Sequence, residues 1–149
     1  MTQQDPKPGS AEEAGKTALA AYLPEFFAAV GEFPDLKAEP GLSDEDIAAL
    51  EQRLDFRLSE GLKRLVRQCA AISMNGLSVR AAHFGPIVMP SSEALIIGEL
   101  YLHNDGDRLL MLPNDETVYY LEQRNGAITK LADSLENFFN QTLPRHLYG

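Results

Sequence analysis

From Ala94 to Leu121 the apolar and polar positions read as strands punctuated by turns. Ala94-Leu95-Ile96-Ile97-Gly98-Glu99-Leu100-Tyr101-Leu102-His103 is followed by Asn104-Asp105-Gly106-Asp107 and then Arg108-Leu109-Leu110-Met111-Leu112. Asp-Gly between two apolar runs is a hairpin signal, because tight turns between twisted strands need positive backbone torsions. A second turn at Pro113 to Glu116 leads into Thr117-Val118-Tyr119-Tyr120-Leu121. Leu131 to Phe139 then returns to helical spacing. The order predicts an α+β fold: an antiparallel meander covered on one face by helices near residues 44–54, 59–71 and 134–142.

The first half reads as helices. Ser10 and Glu13 have the spacing of a capping box, so a helix is expected to start near Ala11. Pro24 interrupts it and can open a second segment carrying Phe26, Phe27 and Val30. Gly31 to Gly41, with Pro34 and Pro40, reads as a loop. Ser43 can cap the Asp46 amide, and Asp44, Glu45 and Asp46 suit the positive end of the helix that follows. Its inner stripe is Ile47, Leu50 and Leu54; the next helix has Leu58, Leu62, Leu65, Val66 and Cys69, with Lys63, Arg64 and Arg67 on a solvated face. Asn75-Gly76 signals a turn, and short strands are expected around Val79 and Ile87. The division expected is a disordered tail over 1–9, helical segments and a loop over 10–41, and an α+β unit over 42–149, within a single domain.

Strand register follows from the turns. A two-residue turn at Asp105-Gly106 sets His103 opposite Arg108, Leu102 opposite Leu109, Tyr101 opposite Leu110 and Leu100 opposite Met111. One side then gathers Leu100, Leu102, Leu109 and Met111, with Val118 and Tyr120 joining from the next strand. The other side gathers Glu99, Tyr101, His103, Arg108, Leu110 and Tyr119. These six are the candidate partner-binding residues. The competing expectation is that a helix from before Gly41 covers them. In the terminal helix, Phe138 and Phe139 straddle the stripe set by Leu135, so both are expected to be buried.

Composition narrows the chemistry. The 149 residues, 44% hydrophobic, suffice for one core. A net charge of −9 and a pI near 4.7 argue against nucleic-acid binding; an acidic surface would attract a basic partner by long-range steering, and it equally suits a protein that is acidic only for solubility. The single cysteine, Cys69, excludes an intrachain disulfide and fits a reducing compartment. No apolar run nears the roughly 20 residues of a membrane span, and the N-terminus lacks a signal-peptide pattern. A cytoplasmic protein is expected.

No catalytic, cofactor-binding or metal-binding residues are assigned. His103, Asp105 and Asp107 alternate like ligands, but turn chemistry accounts for them. His83, His103 and His146 lack zinc-ligand spacing. Cys69 reads as a small apolar residue on a helix face, and Asp133 with Glu136 as a helix cap. An enzyme is not expected.

Four segments in order resemble the SUKH superfamily. Ser43-Asp44-Glu45-Asp46-Ile47-Ala48-Ala49-Leu50-Glu51 is similar to its opening helix, and Leu58 to Leu65 to the start of its next helix, with Ser59 where proline is usual. Gly106-Asp107-Arg108-Leu109-Leu110-Met111-Leu112 with Val118-Tyr119 resembles its Gly-Asp and Val-Tyr strands. Leu131 to Phe139 resembles its closing helix. Asn75-Gly76 is what remains of an Asn-Gly-Gly turn. The superfamily includes bacterial toxin-immunity proteins and a fungal cell-wall regulator. The resemblance implies a protein that binds a cognate toxin domain and occludes its active site or substrate groove. The alternative is a regulatory module that recognises a small molecule or a host protein.

Overall fold

The structure is a computed structural model that describes residues 10–31, 33–74, 76–88, 93–101 and 105–148. The expected tail over 1–9 therefore lies outside the described residues, as do Leu102 and His103.

Helices α1 (Ser10–Tyr22) and α2 (Pro24–Val30) meet at Pro24, which takes the first helical position of α2 as the sequence suggests. Strand β1 (Lys37–Pro40) follows where a loop was expected. Helix α3 (Asp44–Leu54) starts at Ser43, whose Oγ accepts the Asp46 N–H at 3.1 Å. Helix α4 (Glu60–Gln68) is capped by Ser59, which accepts the Leu62 N–H, so the serine in the proline position has a structural task of its own. The helix ends earlier than its apolar spacing suggests. Cys69 opens strand β2 (Cys69–Met74) instead of closing the helix, and it is buried.

Six more strands follow: β3 (Leu77–Arg80), β4 (Gly85–Val88), β5 (Glu93–Leu100), β6 (Arg108–Met111), β7 (Val118–Leu121) and β8 (Ile128–Ala132). The short strands expected around Val79 and Ile87 are β3 and β4. A 3₁₀ turn, Ala81–His83, separates them. The order across the sheet is β1-β2-β3-β5-β6-β7-β8, with β4 also on β5, and every pairing among the described residues is antiparallel. The closing helix is broken into α5 (Leu135–Asn137), a π-helical turn over Phe138–Thr142, and α6 (Leu143–Tyr148). Its cap is Ser134, whose Oγ accepts the Asn137 N–H, and not Asp133. Asp133 pairs with Lys130, raising the lysine pKa by hydrogen bond and charge, and Glu136 pairs with Arg64 at 3.4 Å.

The helices lie on one face of the sheet. Leu19, Phe26 and Val30 share a buried cluster with Leu62, Leu65, Ile72, Val79, Leu109, Tyr120, Phe138 and Phe139. The described apolar residues of α1 and α2 thus belong to the main core. Helix α1 runs along β1 so closely that a Cβ on Gly15 would fall 2.0 Å from the Ala38 carbonyl oxygen. The three cations of α4 are all paired: Lys63 with Glu51 and Glu60, Arg64 with Glu136, and Arg67 with Asp44.

Candidate partner-binding face

Alternation along the strands sends Leu109, Met111, Val118 and Tyr120 toward the helices, all buried, and their neighbours to the open side. Tyr120 sits opposite Leu109 and Tyr119 opposite Leu110, the pairing that the turn length implies. On the open side one transverse row reads Lys37, Ser73, Ser78, Glu99, Arg108, Leu121, Ile128. A second row reads Ile96, Leu110, Tyr119, Lys130.

The β5–β6 register differs from the two-residue hairpin. Glu99, four residues before His103, stands opposite Arg108, and Gly98 stands opposite Leu109. Asp105-Gly106 does form a turn, with Gly106 at φ +90°. Asp107 decides this. Its side chain is fully buried, accepting the Tyr120 hydroxyl and the Gln123 N–H (3.0 Å), while its carbonyl accepts the Leu100 N–H (3.1 Å). With Asp107 held inward, β6 begins at Arg108. The displacement is an even number of residues, so each strand keeps its faces. A bulge between Ile96 and Gly98 then lets Leu95 face Met111 on the core side.

Of the six candidates, Glu99 is exposed on the open face, and Arg108 and Tyr119 are half-buried beside it. Tyr101 lies just past the end of β5, 54% exposed, with its N–H donated to the Gly76 carbonyl at 2.9 Å. His103 lies outside the described residues. Leu110 shares the face but is only 1% exposed, so it lies beneath the surface and offers a partner no side-chain area. The structure thus brings together Glu99, Arg108 and Tyr119 over Leu110, with Tyr101 at the margin.

Two depressions mark this face. One, of about 550 Å³, is lined by Ser78, Arg80, His83, Ile96, Glu99 and Arg108. The other, of about 300 Å³, lies beyond Glu99 among Gly76, Tyr101 and Asp105. Arg80 is tied to Glu39 of β1 at 2.5 Å. Arg108 has no ion pair among the described residues, and its Nε is buried without a hydrogen-bond partner. Ser78, Arg80 and His83 were missed in sequence. The alternation Leu77-Ser78-Val79-Arg80 carried the signal for the first two, since it puts Ser78 and Arg80 on one face. Among the described residues no cluster of three or more His, Cys, Asp or Glu could hold a metal, and no helix is long and apolar enough to cross a membrane.

An antiparallel sheet backed on one side by helices, with a grooved and partly charged open side, defines the chain as an α+β domain. The match to a family model is specific: residues 41–141 fit the SMI1 / KNR4 family (SUKH-1), and the chain belongs to that family. The match begins after α1, α2 and β1, although their buried residues complete the core. No curated protein and no solved structure matches the chain.

Proposed function

We propose that this protein is an immunity-type protein, binding a cognate toxin domain through the open sheet face and occluding its active site or substrate groove. The observation that carries the reading is the face itself. In a member of the SMI1 / KNR4 family, a rigid helix-backed sheet leaves tyrosine and arginine side chains uncovered by any described helix. Tyrosine and arginine present large area with polar ends, the composition enriched in binding hot spots. The net charge of −9 would speed encounter with a basic partner such as a toxin with a nucleic-acid groove. The site is occlusive and not catalytic, so inhibition should be stoichiometric.

The test is neutralisation. A toxin domain encoded beside this gene is expressed alone and together with this chain. Restored growth and a stoichiometric complex on co-purification are expected. Persistent toxicity with no complex, for every such neighbouring domain, overturns the reading. A second reading, a regulatory module for a small molecule, is favoured by a depression of about 440 Å³ between α3 and the Glu39–Arg80 pair. There Leu42, Ala49, Leu50 and Ala81 form an apolar wall and Arg53 and Asp46 a polar rim. A metabolite that co-purifies and is lost on Ala49→Trp would support it.

A further inference from the structure

We propose that the groove around Arg108 is an anchor for a carboxylate side chain, Asp or Glu, presented by the protein that docks on the open face. This rests on the reading of that face as a protein-binding surface and adds the chemistry of its anchor.

Arg108 Nε is covered by protein with no acceptor among the described residues, a costly arrangement that a turn of the side chain into the groove it lines would relieve once a carboxylate is there to accept. Guanidinium Nε–H and Nη–H point in parallel, a fork that matches the two oxygens of a carboxylate. Arg80 and His83 line the same groove, and Ser78 brings a hydroxyl. Arg80 gives only part of its five donors to Glu39. In a chain of net charge −9, this gathers two guanidinium groups, an imidazole and a hydroxyl round one groove of about 550 Å³. Ile96 in the wall keeps it partly apolar, which strengthens a charge-assisted hydrogen bond made there.

Glu99 opposes this. It stands directly across from Arg108 in the sheet, yet no ion pair joins them. Its negative charge lowers the affinity of the groove for a second carboxylate and so acts as a filter. Only a carboxylate that reaches the Arg108 fork itself gains enough to enter. The acidic surface therefore serves long-range attraction of a basic partner, while this groove reads one acidic residue within that partner and fixes its orientation.

The probe is an aspartate carrying an acetylated amine and an amidated carboxyl, leaving only its side-chain charge, with the matching asparagine derivative as control. The readout is the proton–nitrogen NMR signal of Arg108 Nε, assigned by its loss in Arg108→Lys, whose fold is checked from its backbone spectrum. The aspartate probe is expected to move this signal saturably and the asparagine derivative to leave it in place. Glu99→Gln should tighten the response several-fold. No movement with the aspartate probe, in either the native chain or Glu99→Gln, overturns the proposal. A response to inorganic phosphate stronger than that to the aspartate probe also overturns it, because the groove would then be a phosphate site. No toxin enters this measurement. A failed neutralisation assay leaves the carboxylate site standing, and a silent Arg108 signal leaves neutralisation intact.

Discussion

Asp107 carries the most consequence of any single residue. Its carboxyl joins the β5–β6 connection to Tyr120 in β7 and to the backbone at Gln123. Asp107→Ala strands both donors and should cost about 1–3 kcal/mol, with Tyr120→Phe costing a comparable amount. Because the two residues share one bond, the double substitution should cost less than the sum, as urea denaturation would measure. Additive losses would mean that the bond contributes nothing. Two other buried groups give an alkaline signature. Burial pushes the Cys69 thiol up to about 11 from 9.0, and burial followed by the nearby Glu136 pushes the Tyr22 hydroxyl up to about 12 from 10.0. Both groups ionise more readily unfolded than folded. Stability from the thiol is complete below about pH 9 and is lost as pH rises through about 11; for Tyr22 the loss runs from about pH 10 through about 12. Thermal melts should show this decline, and Cys69→Ala with Tyr22→Phe should flatten it. An unchanged alkaline slope in the double variant would place the cause elsewhere.

At the scale of elements, the closing helix is where spacing and packing part company. A continuous helix over 134–142 is expected from Leu135, Phe138 and Phe139, and both phenylalanines are indeed fully buried. They meet edge to face with ring centroids 5.1 Å apart, and Phe139 meets Phe26 of α2 in the same way. Phe138→Ala and Phe139→Ala should each cost about 3–5 kcal/mol in denaturant unfolding. The π-helical turn adds what no spacing shows: Asn140 Oδ1 accepts the Phe26 N–H at 3.1 Å, capping the first turn of α2 from 114 residues away. Asn140→Ala should cost about 1 kcal/mol and speed hydrogen exchange at the Phe26 amide. Exchange unchanged at that amide would show the cap to be idle. Likewise Glu116 accepts the Gly61 N–H at the start of α4, and Glu51 the Leu58 N–H. Side chains distant in sequence, or in another element, finish these helix ends.

For the molecule as a whole, the open face is the consequence of where α1 and α2 dock. Because their apolar residues join the main core, Glu99, Arg108 and Tyr119 are left facing outward with Tyr101 beside them. Tyr101→Ala and Arg108→Glu should each weaken partner binding by about 2 kcal/mol or more, roughly thirty-fold, while the thermal midpoint barely moves. A large fall in midpoint with each substitution would make them structural, and the face would not be the interface.

The sequence by itself determined the α+β class, the Ser43 cap and the bounds of α3. It also determined the placement of Pro24 and the inward turn of Val118 and Tyr120. Each depends on nearest neighbours or on a short period, and local sterics and side-chain alternation decide it. It left β1, β2 and β8 unread, because Lys37–Pro40 is short and Pro-bearing, Cys69–Met74 continues a helical spacing, and Ile128–Ala132 is an exposed edge with little apolar pattern. The candidate face was legible in parity but not in register. Alternation keeps Glu99 and Arg108 on the same side for any displacement by an even number of residues, whereas their direct pairing goes with Asp107 being drawn inward by Tyr120 and Gln123. Only the tertiary structure could bring Ser78, Arg80 and His83 to Arg108, because those residues meet through strand order across the sheet and not through spacing along the chain.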